Sequence, residues 1–164
     1  MKRHRALGWR KKWIAATVGV ALIGTLAAVA LASPGSGVTL MTLVTADFEK
    51  TVQVNSDRVN FQTEGASDVR VQKIDFAPGS NFGWHHHPGL VIVAVQSGTV
   101  TLMDSECTSV TYGPGLADGA VFVMTGDDPM YTSSATGATV YATFIAPAAN
   151  PPVFRMEDDP PPCA

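Results

Sequence analysis

The chain has 164 residues, of which 46% are hydrophobic, so it is long enough for one domain with a buried core. Six of its 11 basic residues and none of its 14 acidic ones lie in residues 1–32, which leaves five basic against 14 acidic residues in the remainder. Because a domain this acidic has no basic stripe for a phosphate backbone, nucleic acid is excluded as a partner.

Residues 1–32 have the pattern of an export or anchoring segment. A basic start precedes an uncharged run over residues 13–32 that is rich in Ala, Val and Leu, and this charge asymmetry places the N-terminus in the cytoplasm. Ala30-Leu31-Ala32 offers a signal-peptidase site, whereas an uncharged run of this length also suffices to span a bilayer. We expect a hydrophobic N-terminal helix and a domain that is either membrane-anchored facing outside or secreted.

The rest of the chain has the pattern of an all-β protein, in which short strands are separated by turn residues. Residues 33–46 form a linker or arm whose Thr-rich part, residues 38–46, is either an extended arm or an edge strand. Beyond it, short segments rich in Val, Thr, Ile and Phe alternate with Gly, Pro, Asp or Asn, and no window has helical periodicity. We predict strands at 51–54, 69–76, 90–96, 99–103, 109–112, 120–124, 130–133 and 139–146.

The strand that begins at Leu90 is apolar at every position as far as Val95. A run of this kind is typical of a strand that is covered on both faces. We therefore predict a central strand with no face in water.

Cys107 and Cys163 are the only cysteines. Because an exported domain folds in an oxidising compartment, the pair favours a disulfide over two free thiols. This bond would tie the Pro-rich C-terminal tail, residues 149–164, back onto the domain.

Three consecutive histidines, His85, His86 and His87, lie behind a Gly-rich bend in residues 79–89. Neutral imidazole is the commonest protein ligand for transition metals and a usual proton carrier near neutral pH. In an extended segment His85 and His87 point to one face and His86 to the other. Two converging imidazoles make half of a metal site.

These residues resemble the first motif of the cupin superfamily. Gly79 is followed after five residues by His85, one residue later by His87, and then by Gly98. Residues 112–130 are similar to the second motif. The resemblance implies a single cupin-type β-barrel, a double-stranded β-helix or jelly roll, over residues 47–148. It also implies the homodimer that cupins commonly form.

The sequence departs from the metal-binding version of that pattern. The resemblance places the motif's glutamate at Val91 or Ile92 and its third histidine at Met130 or Pro129, so only His85 and His87 carry over. A zinc site needs at least three protein ligands. With Met130 as a third ligand, whose soft thioether favours copper, one weakly held divalent or copper ion is the cofactor that the pattern allows.

A ligand pocket is the other interpretation of the same stretch. Phe82, Trp84, Val91 and Met130 could form apolar walls around the histidines. Three hypotheses stay open: a small-molecule or metal-binding module, a metal-dependent dioxygenase or isomerase, and a non-catalytic partner protein that docks another chain through its arm and tail. The sequence assigns no catalytic residue.

Overall fold

The computed structural model describes residues 35–163, which form β-strands and no helix. No helix in this range is long and apolar enough to cross a membrane. The helix, signal or anchor expected in residues 1–32 lies outside the described residues. The strands in chain order are β1 (Ser36–Phe48), β2 (Gln53–Asn55), β3 (Asn60–Gln62), β4 (Ser67–His86), β5 (Leu90–Gly98), β6 (Val100–Met103), β7 (Ser109–Tyr112), β8 (Val121–Met124), β9 (Met130–Ser134), β10 (Ala138–Pro147) and β11 (Met156–Glu157).

The longest strand, β4, belongs to both layers of the barrel. Its first half pairs with β1 on one side and β10 on the other, and its second half pairs with β9 and β11. One layer therefore has the order β1-β4-β10-β5-β8, and the other has the order β11-β4-β9-β6-β7. Because one strand connects them, the two layers wrap around a single core as a nearly closed barrel.

The core consists of inward-facing side chains of β4, β5, β6, β8, β9 and β10, which alternate with outward-facing ones as the two-residue period of a strand requires. Ile74, Val93, Phe122 and Val140 come from four different strands, and each is at most 5% exposed. Burying an aliphatic or aromatic side chain of this size stabilises a fold by about 1.5–3 kcal/mol. The barrel is thus held together by many such contacts rather than by one cluster of polar bonds.

The predicted all-β barrel is confirmed, and each of the eight predicted strands overlaps an observed one. The Thr-rich residues 38–46 lie in β1, which pairs with β4 along the edge of its layer. The sheet therefore begins at Ser36 rather than at residue 47. The two-residue strand β11 and the three-residue strand β3 have no counterpart among the predictions, because a strand this short has too few residues to show an alternation of apolar and polar side chains.

The prediction that β5 is covered on both faces is wrong. Val91, Val93 and Val95 are buried, whereas Ile92 is 39% exposed. The strand is central in its layer, between β10 and β8, but no described residues form a third layer over its outer face. Apolar character on both faces therefore does not mean burial on both faces here, and the homodimer stays a prediction.

The C-terminal tail returns to the barrel and closes one end of it. Phe154 is 6% exposed within the core, and β11 pairs with β4 beside the histidines. Further on, Cys163 forms the predicted disulfide with Cys107, across 56 residues of chain. The tail is therefore part of the folded unit and is anchored to it both by packing and by a covalent bond.

The disulfide leads to a stability prediction. Cys163→Ser should lower the free energy of unfolding by about 4 kcal/mol, because a cross-link over 56 residues removes loop entropy from the unfolded chain. Denaturant titration of the full chain measures this. Cys107→Ser and the double variant should show the same loss, and so should the wild type under reductant. Equal stability of Cys163→Ser and the oxidised wild type would contradict the prediction.

Candidate functional site

A bulge in β4 aims the histidines at the interior. The pairing with β9 shifts register between Asn81 and Trp84. Within this shift Gly83 has a positive φ of 70°, and its N–H donates to the Asn81 side chain at 3.0 Å. A bulge re-aims the side chains that follow it, so the inward face changes from even-numbered to odd-numbered residues. As a result, Phe82 and His85 both face the interior.

His85 and His87 share the interior while His86 faces away, as the strand alternation predicts. His85 and His87 are each 3% exposed, and their ring centroids are 4.9 Å apart. The Nδ1 atom of His86 lies 2.8 Å from a carboxylate oxygen of Asp158 in the tail. Two imidazoles therefore belong to the cavity wall, and the middle one helps to hold the tail in place.

Backbone carbonyls determine the tautomer of both interior histidines. The Nδ1 atom of His85 donates to the Gly83 carbonyl at 2.9 Å, and that of His87 donates to the Phe154 carbonyl at 2.6 Å. Because a carbonyl only accepts, the proton of each neutral ring is on Nδ1 and the lone pair is on Nε2. The Nε2 atom of His87 is buried and has no hydrogen-bond partner.

Burial keeps these histidines neutral. Burial and, to a smaller extent, the positive charge of Arg155 together lower the pKa of His85 to about 3. Burial also lowers the pKa of His87, outweighing the opposite effect of its bond to Phe154. At neutral pH both rings are therefore uncharged hydrogen-bond acceptors at Nε2 rather than cations.

The histidines line a cavity of about 400 Å³ inside the barrel. Its walls are mostly apolar, with Phe82, Phe144 and Phe154 among them. The polar lining consists of six side chains: Arg70, Gln72, His85, His87, Thr132 and Arg155. No carboxylate of the described residues lines the cavity, and its two cationic side chains are Arg70 and Arg155.

Three of the residues predicted for the site line this cavity and three do not. Phe82, His85 and His87 are in its wall. Trp84 lies on the opposite face of β4, where its ring packs against Tyr131 at 5.6 Å, because it follows the bulge by one residue. Val91 and Met130, the latter across the ladder from His85, are buried in the core and do not reach the cavity.

The donors around the cavity do not fit a tightly held metal ion. His85 and His87 have the outer-shell carbonyl support that metal-ligating histidines have. Within residues 35–163, however, no three His, Cys, Asp or Glu side chains cluster to hold a metal, and Met130 is not in the cavity wall. Arg70, which is in none of the salt bridges of the described residues, lines the same space and repels a cation.

Sequence reasoning missed the two arginines and Phe154. The two-residue period places Arg70 on the same face of its strand as Ile74. It does not say that this face meets the cavity, because Val69 and Val71 lie on the other face. Arg155 and Phe154 carry no comparable signal, because the tail reaches the cavity only through tertiary packing.

No family model matches the sequence, and none of the curated proteins matches it. Solved structures do match the barrel. A cupin superfamily protein from Desulfitobacterium hafniense has a TM-score of 0.47 and 12% identity over 70% of this chain and 83% of its own. A conserved protein of unknown function from Streptococcus pyogenes has a TM-score of 0.47 and 17% identity over 68% and 76% of the two chains.

A third similar structure is a salicylate 1,2-dioxygenase from Pseudaminobacter salicylatoxidans, with a TM-score of 0.39 and 15% identity. The match covers 46% of this chain and only 20% of the dioxygenase. Cupin superfamily proteins are thus among the structural neighbours. The barrel is consistent with the cupin fold, but likenesses this distant say nothing about ligand or reaction, which rest on this chain's own residues.

The neutral histidines lead to a prediction about pH. Since the pKa of His85 and of His87 is lower in the folded than in the unfolded chain, protonation favours unfolding. Above about pH 6.5 both histidines are neutral in the folded and the unfolded chain, so their contribution to the free energy of unfolding is fully present. Below that pH, stability should fall by about 1.4 kcal/mol per pH unit toward pH 3 because of His85. Protonation of His87 should lower stability in the same direction.

Denaturant titrations between neutral pH and about pH 5 measure this slope before most carboxylates protonate. His85→Asn and His87→Asn should each reduce the slope, because Asn does not titrate. A wild-type slope that both variants leave unchanged would show that other groups cause the pH dependence.

Proposed function

We propose that this protein is an exported cupin-domain protein that binds a small organic molecule inside its barrel, with His85 and His87 as neutral hydrogen-bond acceptors. The observation that carries the proposal is the cavity of about 400 Å³, lined by two imidazoles whose lowered pKa keeps them uncharged. Mostly apolar pockets with a few placed polar groups are typical of small-molecule sites. The basic start and uncharged run of residues 1–32 support export.

The histidines would bind a donor group of the ligand. Each has its Nδ1 hydrogen committed to a backbone carbonyl, so Nε2 is available to a hydroxyl or N–H group. An unpartnered buried acceptor costs about 1–3 kcal/mol, and the Nε2 atom of His87 is in that condition. A ligand hydroxyl would remove this cost, which makes the histidines a source of both affinity and orientation.

A metal-dependent dioxygenase or isomerase has less support. It would need a third protein ligand beside His85 and His87, and Met130, the sequence candidate, lies outside the cavity wall. The positive charge of Arg70, which is in none of the salt bridges of the described residues, also opposes a divalent cation in the same space. We therefore propose no reaction for this site.

The partner-docking alternative also has less support. Its two candidate docking segments are the Thr-rich arm and the Pro-rich tail. The arm pairs with β4 as β1, and the tail places Phe154 in the core and pairs with β4 as β11. Because both segments pair with β4 of their own barrel, we favour the binding proposal over this alternative.

The binding proposal predicts a difference between two substitutions of one histidine. We expect metal-free full-length protein to bind 3-phenylpropan-1-ol, and His87→Asn to weaken this binding by about two- to tenfold. Asn can still donate to the Phe154 carbonyl but has no acceptor in place of Nε2. His87→Gln, whose amide lies near the Nε2 position, should lose less. Calorimetric titration measures each dissociation constant.

Thermal unfolding with added metal distinguishes the metal-site alternative. A specific ligand raises the melting temperature in proportion to its affinity and concentration. We expect the alcohol to raise it, and Zn²⁺ or Cu²⁺ to raise it little at the same concentration. A large rise with one metal that His85→Asn abolishes, and none with the alcohol, would overturn the proposal in favour of a metal site.

A further inference from the structure

The first half of β4 has its polarity reversed relative to an ordinary core strand. Its sequence from residue 69 reads Val-Arg-Val-Gln-Lys-Ile-Asp-Phe, and the two valines would be expected to face the core. Instead, Arg70 and Gln72 line the cavity. Across the ladder they lie opposite Phe144 and Ala142, whose side chains are 8% and 1% exposed on the same inner face.

The reversal is imposed by the residues that follow. Ile74 and Phe76 are 4% and 6% exposed and lie opposite Val140 and Ala138. Since the ladder between β4 and β10 has no register shift, burying Ile74 and Phe76 directs Arg70 to the interior as well. A guanidinium directed inside a barrel is unfavourable unless something pairs with it.

Arg70 has no such pairing group among residues 35–163. It takes part in none of the salt bridges of this part of the chain, and its Nε atom is buried without a hydrogen-bond partner. Its one specific contact is the face of the Phe154 ring, 4.2 Å from the guanidinium carbon. This contact leaves the N–H groups at the edge of the planar guanidinium without an acceptor.

The second arginine of the cavity is in a different condition. Arg155 donates to both carboxylate oxygens of Glu157, at 2.5 and 2.8 Å, and to the Phe82 carbonyl at 2.6 Å. Its charge is therefore compensated, although its Nη1 atom is buried without a partner. The cavity as a whole thus has one uncompensated positive charge, at Arg70, and a further free donor at Arg155.

From this we infer that the molecule bound in the barrel is a small organic acid with an apolar body, and that Arg70 binds its carboxylate. The inference rests on the proposed function, because it assigns the ligand class of the same cavity. A guanidinium presents paired donors that match the two oxygens of a carboxylate. One uncompensated charge fits a monoanion, and the walls formed by Phe82, Phe144 and Phe154 fit an apolar body.

Three probes with the same body and different head groups test the inference: 3-phenylpropionate, 3-phenylpropionamide and 3-phenylpropylamine. The full-length protein should bind the carboxylate about ten- to hundredfold more tightly than the amide, because charge-assisted hydrogen bonds to a buried guanidinium are strong. The amine should bind most weakly. Calorimetric titration gives the affinities, and the methyl resonance of Met124, which lines the cavity, locates the bound probe against that of exposed Met41.

Arg70→Met keeps the aliphatic stem and removes the charge. It should weaken 3-phenylpropionate about ten- to hundredfold and change the amide by less than about twofold. Arg58→Met is the matched control, because it makes the same substitution at an arginine whose side chain is 92% exposed, and it should change neither affinity. If Arg70→Met does not fold, Arg70→Lys should still lower the preference for carboxylate over amide, because an ammonium has no paired donors.

The outcomes separate this inference from the proposed function. If the amide binds as tightly as the carboxylate and shifts the Met124 resonance, the cavity binds small molecules but the inference about the acid is wrong. The same conclusion follows if Arg70→Met weakens both probes equally. If no probe shifts Met124 in the wild type, the proposed function fails as well, and Arg70 is an uncompensated charge of the fold alone.

Discussion

The alternation of side chains along β4 is the constraint on which the rest of this structure depends. One strand of 20 residues supplies the core residues Ile74 and Phe76, the arginine and glutamine of the cavity, and both interior histidines. Because its first half is paired on both sides, its inward face cannot be exchanged for the outward one without exposing the core. The chemistry of the cavity is therefore a consequence of the register that buries the core.

The bulge at Gly83 changes, within the same strand, which side chains face the interior. Without the register shift there, the even-numbered face would continue inward and would bring Trp84 and His86 into the cavity. With it, His85 and His87 enter, while His86 is left on the outside to pair with Asp158. One inserted residue thus determines which members of the histidine triplet line the cavity and which one pairs with the tail.

The electrostatics of the cavity combine neutral acceptors with a cationic donor. Burial and the neighbouring Arg155 lower the pKa of His85, so the imidazoles do not add to the positive charge of the arginines. A space with free guanidinium donors, uncharged Nε2 acceptors and phenyl walls suits an organic anion that also carries an uncharged hydroxyl or N–H group. It suits a divalent metal ion poorly, since within residues 35–163 the two imidazoles are the only His, Cys, Asp or Glu side chains in its wall and the charge of Arg70 repels a cation.

The sequence by itself determined the all-β class, the approximate position of eight strands, the disulfide partners and the fact that His85 and His87 share a face. These features follow from local periodicity, turn residues and a count of two cysteines. Only the tertiary structure decided that Arg70 points inward, that Trp84 and Met130 lie outside the cavity wall, and that Phe154 and Arg155 are part of this wall. A two-residue period states which residues share a face but not which face meets the core, and the docking of a tail depends on contacts between residues far apart in the chain.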